Sequence, residues 1–174
     1  MKTFGGRLLV LDRDDINTDE IIPARYLTEI SKQALAPHLL EDLGLEGFHP
    51  ATDIAGKGAV ITGANFGCGS SREHAAWALE ANQINLVVAK SFSRIFRQNM
   101  FNCGMLAVQL SAETIDSLME RFAKKDVRLD VDWERLQLVF RAGEETEEID
   151  FSLSEFDRAL IKAGGWVEYA DVRY

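Results

Sequence analysis

The chain has 174 residues, 47% hydrophobic and 27% charged, enough to bury a substantial core as one domain over residues 1–174. Its 19 basic and 28 acidic residues give a net charge of −9, which argues against nucleic acid as a partner and means that an anionic substrate must be met by a local basic cluster. No apolar run approaches the roughly 20 residues that cross a bilayer, and residues 1–10 lack a signal-peptide core, so a soluble cytoplasmic protein with no membrane partner is expected.

In chain order, residues 6–11 read as a strand, residues 28–43 as a helix, residues 44–57 as a turn-rich loop and residues 58–62 as a second strand. Residues 72–82 then read as a helix, 86–89 as a strand, 92–101 as a helix and 105–110 as a strand. This alternation predicts parallel βαβ units and an α/β core. Residues 112–124 carry Ile115, Leu118, Met119 and Phe122 at helical spacing, so one apolar face is predicted. Residues 127–131 and 136–141 alternate like a hairpin. An acidic turn at 143–148 leads through 149–153 to a helix over 154–163, which Gly164 and Gly165 should stop.

The densest chemical signal is Asn65-Phe66-Gly67-Cys68-Gly69-Ser70-Ser71-Arg72-Glu73-His74, predicted to lie after a buried strand and at a helix start, where α/β folds bind ligands. Ser70 and Glu73 have capping-box spacing, which accounts for part of the pattern. Two glycines, two hydroxyls and an arginine at a helix N-terminus suit a carboxylate ligand better than a cap alone. A phosphate loop is the weaker reading, because the Gly-Lys-Ser/Thr ending is absent. A serine hydrolase pairing Ser70 with His74 is weaker still without a G-x-S-x-G elbow. Cys68 and Cys103 form no C-x-x-C pair, so neither a disulfide framework nor a metal site contained in this chain is indicated.

These ten residues resemble the N-[FY]-G-x-G-S-S-R-E-H signature of the swivelling domain of the aconitase superfamily. Residues 15–23 (Asp-Ile-Asn-Thr-Asp-Glu-Ile-Ile-Pro) are similar to its D-x-[NT]-T-D-x-I-x-P segment, and residues 91–96 with Asn99 to its S-F-[AS]-x-I-F-x-x-N segment. The resemblance covers residues 6–110; the hairpin and helices of 111–174 carry no usable motif. It implies a swivelling β/β/α domain with a mainly parallel central sheet, like the aconitase C-terminal domain. It also implies a hydro-lyase that acts on a small di- or tricarboxylic acid only together with a large subunit. No cofactor is expected in this chain; the four-iron four-sulfur cluster belongs to the large subunit. By position Ser70 is the implied general base. Ser71 and Arg72 hold substrate carboxylate, Gly67 and Gly69 shape the loop, and Asp19 orients an arginine or a partner group. A turn or cap role for Asn17-Thr18-Asp19 is equally open. A lone cysteine such as Cys68 is usually packing.

Substrate choice in the two-chain members is attributed to the loop that reads Pro23-Ala24-Arg25-Tyr26-Leu27-Thr28-Glu29 here. Homoaconitase-like loops resemble Tyr-Leu-Arg-Thr, whose arginine pairs a further carboxylate, whereas isopropylmalate-type loops carry an apolar residue there. Thr28 is neither. The missing arginine disfavours a tricarboxylate; among the dicarboxylates the resemblance allows, the 2-isopropylmalate and 3-isopropylmalate pair of leucine biosynthesis is expected mainly because that pathway is so common. Arg25 as a substitute cation keeps homoaconitate and a methyl-substituted malate as alternatives. A non-catalytic carboxylate-binding regulatory module is the alternative from another class.

Overall fold

A computed structural model describes all residues 1–174. Its centre is a seven-stranded sheet in the order β4-β3-β2-β1-β5-β6-β7. In sequence these are β1 (Gly5–Leu11), β2 (Lys57–Thr62), β3 (Leu86–Ala89), β4 (Leu106–Gln109), β5 (Arg128–Asp132), β6 (Gln137–Ala142) and β7 (Glu145–Asp150). Strands β1 to β4 pair parallel, β5 joins β1 antiparallel, and β6 and β7 continue antiparallel. Both β1 to β4 and β6 therefore point one way, which gives the mainly parallel α/β sheet that the alternation predicts.

The parallel half is built from near-continuous apolar runs, as strands covered on both faces require. Every residue of β3, Leu-Val-Val-Ala, is buried, and so are the last five of β2. The helices are α1 (Thr18–Ile21), α2 (Lys32–Leu35), α3 (Pro50–Asp53), α4 (Glu73–Ala81), α5 (Arg94–Asn102), α6 (Ala112–Phe122), α7 (Glu155–Ala163) and α8 (Trp166–Arg173). The predicted apolar face of α6 is the observed one: Ile115, Leu118, Met119 and Phe122 are buried, and Phe122 stacks on Phe140 of β6 at 6.0 Å between centroids. No helix is long and apolar enough to cross a membrane.

Two local expectations are corrected. The helix expected over residues 28–43 is reduced to α2 and a 3-10 turn at Ala36–His38. Pro37 has no N–H to continue an α-helix, and Leu40 takes φ +58°, outside the helical region. The acidic turn expected over 143–148 is mostly strand β7; only Gly143 and Glu144 turn, with Gly143 at φ +59°. Gly164 closes α7 in the left-handed region, as expected, and Gly165 then opens α8.

Candidate active site

The C-terminal ends of β1, β2 and β3 release three loops on the same side of the sheet, and backbone hydrogen bonds join these loops into one platform. On one flank the Asp15 N–H donates to Ala64 O, Gly67 N–H to Ile16 O and Thr18 N–H to Cys68 O, each at 2.8 Å. On the other flank, Phe66 N–H donates to Ser91 O at 3.1 Å and Ser93 N–H to Phe66 O at 2.9 Å. The segment 65–74 is thus sandwiched between the two other segments that carry the resemblance, 15–23 and 91–99.

Side chains reinforce the platform. Asn65 takes φ +58°, its N–H donates to Ser91 Oγ at 2.8 Å, and its side-chain amide donates to Asp15 Oδ1 at 2.9 Å. Gly67 is at φ +82°, and a Cβ there would lie 2.2 Å from the Phe96 ring, so no other residue fits without displacing α5. Gly69 is also at positive φ, beside Thr18 and Asn17. The capping box of this region is formed by Asn17 and Glu20: Glu20 N–H donates to Asn17 Oδ1 at 2.9 Å, and Asn17 N–H to Glu20 Oε1 at 3.2 Å. The box expected from Ser70 and Glu73 does not form. Helix α4 begins only at Glu73, with Arg72 as an extended N-cap that makes no side-chain cap bond.

Ser70 and Ser71 therefore stand exposed in front of α4. Arg72 is half-buried and donates from Nη1 to Asp19 Oδ1, an ion pair that bridges the signature segment and α1. His74 is turned away from any pairing with Ser70, because its Nε2 bonds the Glu29 carbonyl at 3.1 Å. None of the five main surface hollows, 440 to 560 Å³ each, is lined by Ser70, Ser71 or Arg72; these side chains occupy an open face.

The loop over 24–29 places its charge elsewhere. Arg25 donates to both oxygens of Asp42, at 3.0 and 3.3 Å, approaches Glu41 at 3.5 Å and lies over the Tyr26 ring. The Asp42 carboxylate and Tyr26 push its guanidinium further into the charged range. Thr28 is exposed. The two cysteines are free and both thiols are pushed up: Cys68 by burial and the Asp15 carboxylate, Cys103 to about 11 by burial and Glu80. No three His, Cys, Asp or Glu side chains cluster as metal ligands would. The cap role open to residues 17–19 falls to Asn17, whereas sequence reasoning missed the Ser91 hydroxyl and the His74 contact, for which no pattern gave a readable signal.

A signature loop at parallel strand ends, held between two matching segments, defines the chain as an aconitase-type swivelling domain, and the aconitase C-terminal domain family matches residues 50–113. Similar curated proteins are 3-isopropylmalate dehydratase small subunits. That of Novosphingobium aromaticivorans is 37% identical over 166 residues, covering 94% of this chain and 80% of its own. That of Deinococcus deserti is 38% identical over 164 residues, covering 94% and 84%. The crystal structure of 3-isopropylmalate dehydratase from Methanocaldococcus jannaschii is similar throughout, with a TM-score of 0.79, 31% identity and coverage of 98% of this chain and 94% of that one. The chain belongs to the family of 3-isopropylmalate dehydratase small subunits.

Proposed function

We propose that this chain, as a single cytoplasmic swivelling domain over residues 1–174, is the small subunit of a two-chain hydro-lyase. The enzyme interconverts 2-isopropylmalate and 3-isopropylmalate by loss and re-addition of water. The observation that carries the reading is the platform itself: three motif segments hydrogen-bonded together, with Ser70 and Ser71 exposed on it and Arg72 braced by Asp19.

On this reading Ser70 takes the proton from the substrate carbon next to a carboxylate and returns it to the neighbouring position on rehydration. A serine hydroxyl is ordinarily too weak a base. Its alkoxide is stabilised by the start of α4, adjacent backbone N–H groups and the Arg72 charge once the partner chain excludes water. Ser71 and Arg72 hold substrate carboxylate, and Asp19 keeps the guanidinium plane fixed. The residues of this chain do not fit an iron–sulfur cluster, since its only two thiols, Cys68 in the signature loop and Cys103 after α5, cannot supply the ligand set and no further metal-ligating side chains gather beside them. The large subunit carries that four-iron four-sulfur group, which supplies Lewis acidity at the substrate hydroxyl when bound.

Substrate preference follows from charge. Arg25 is committed to Asp42 and Glu41, and Lys32 to Glu80, so the segment after α1 offers no free cation for a third carboxylate. A branched dicarboxylate is favoured over homoaconitate. The test is reconstitution with the large subunit and measurement of kcat/KM for both acids, in the wild type and in Thr28→Arg. The wild type should prefer isopropylmalate, and Thr28→Arg should move the ratio toward the tricarboxylate by about tenfold or more, one charge-assisted pair. A large subunit that turns over substrate without this chain would make the chain a regulator and overturn the reading.

A further inference from the structure

We propose that His74 is a positioning residue for substrate choice: its imidazole fixes the 24–31 loop to the start of α4. The inference rests on the reading of this loop as part of the substrate site.

Residues His74, Trp77 and Glu80 recur every third position along α4 and so share one face of the helix. Each of them meets the segment after α1. His74 Nε2 lies 3.1 Å from the Glu29 carbonyl oxygen. Because a carbonyl only accepts, the proton resides on Nε2 and the imidazole donates. The His74 ring also packs on Trp77 at 4.8 Å between centroids, the Lys32 ammonium lies 5.8 Å from the Trp77 ring, and Lys32 pairs with Glu80 at 2.8 Å. At the other end of the segment Arg72 holds Asp19. The segment from Asp19 to Lys32 is therefore pinned at both ends to the helix that follows Ser70.

Ile21 and Ile22 are buried, Arg25 is held by Asp42 and Tyr26 stacks on His38, but beyond Tyr26 little else restrains the chain. Leu27 and Glu29 N–H groups make only local bonds, to Ala24 O and Tyr26 O, and Thr28, Glu29, Ser31 and Ile30 are exposed, Ile30 at 95%. Apart from the Ala34 N–H on the Ser31 carbonyl, which only continues the chain into α2, the bond from His74 is the hydrogen bond that ties residues 27–31 to the body of the protein. Thr28 is next in the chain to its acceptor. The imidazole thus decides where Thr28 stands relative to Ser70 without touching substrate, and its effect should appear in binding and discrimination, not in the proton transfer.

The experiment compares His74→Leu, which keeps apolar packing on Trp77 but has no donor, with His74→Gln, which retains an N–H of similar reach. In the complex with the large subunit, His74→Leu should raise the KM for isopropylmalate up to about tenfold, the value of one hydrogen bond. It should narrow the kcat/KM ratio of isopropylmalate over homoaconitate by a similar factor and leave kcat within about twofold. His74→Gln should restore both quantities. In the isolated chain, amide hydrogen exchange of residues 24–31 should accelerate in His74→Leu and return toward wild type in His74→Gln, a measurement that needs neither partner nor substrate. Unchanged exchange in His74→Leu overturns the proposal, and so does a loss of kcat at constant KM. If the wild-type complex turns over neither acid, the functional reading has failed, while the exchange comparison still decides whether His74 holds the loop.

Discussion

Ser70 lies outside the helix that its spacing from Glu73 predicts it to cap, which separates its chemistry from any structural role. Ser70→Ala removes no capping bond and should change stability by less than about 0.5 kcal/mol in thermal denaturation. Turnover of the assembled enzyme should fall by about 100-fold or more. Near-normal turnover would remove Ser70 from the base position. Both Asn17-x-x-Glu20 and Ser70-x-x-Glu73 carry the capping pattern, yet only the first forms, because Arg72 is still extended and α4 begins only at Glu73. Spacing is legible in a sequence; the residue at which the chain enters the helical region is not. Cys103 offers a second test. Burial raises its thiol to about 11, so on raising the pH the unfolded chain loses this proton first. Its contribution to stability is whole below about pH 9 and disappears as the pH rises to about 11, a loss of roughly 2–3 kcal/mol. Denaturant titrations across that window should show a shallower alkaline decline in Cys103→Ala than in the wild type.

Elements with a strong period or a continuous apolar run were the readable ones. The buried runs of β2 and β3 and the apolar stripe of α6 appear where patterning puts them, since burial on two faces or on one stripe leaves no other arrangement for those side chains. Where pattern and backbone chemistry compete, backbone chemistry decides. Pro37 breaks an apolar spacing that otherwise suits a helix, and β7 forms from Glu145-Thr146-Glu147-Glu148-Ile149-Asp150 because a two-residue turn hands it directly to β6. Its charges are tolerable at a sheet edge, where one side faces water and Arg121 pairs with Glu145 and Glu147. The α6 stripe can be tested at its bulkiest side chain. Phe122, 1% exposed and stacked on Phe140, joins helix to sheet, and Phe122→Ala should cost about 3–5 kcal/mol in chemical denaturation, with the cap at Ser111 intact. A cost below about 1 kcal/mol would mean that α6 can settle onto the sheet without it.

The whole molecule has one continuous apolar cluster that spans both halves of the sheet, from Leu86 and Val108 on the parallel side to Leu138 and Phe140 on the antiparallel side. Packing of this extent does not depend on a partner or a cluster. The chain expressed alone should fold, unfold cooperatively and carry no stoichiometric iron by metal analysis; iron bound at one equivalent with a visible absorption band would contradict this. The placement of β1 has a further effect, on the order of events during synthesis. This strand sits in the middle of the sheet, with Leu9 beside Val60 on one side and Gly5 beside Asp130 on the other. It leaves the ribosome before either neighbour. Its second edge stays open until β5 has emerged, so completing the sheet requires pairing between residues more than 100 positions apart, which slows folding. A nascent chain stalled between residues 62 and 128 presents β1 with one bare edge beside the apolar side chains of Leu8, Leu9 and Leu11, and such a fragment is the species most prone to aggregate.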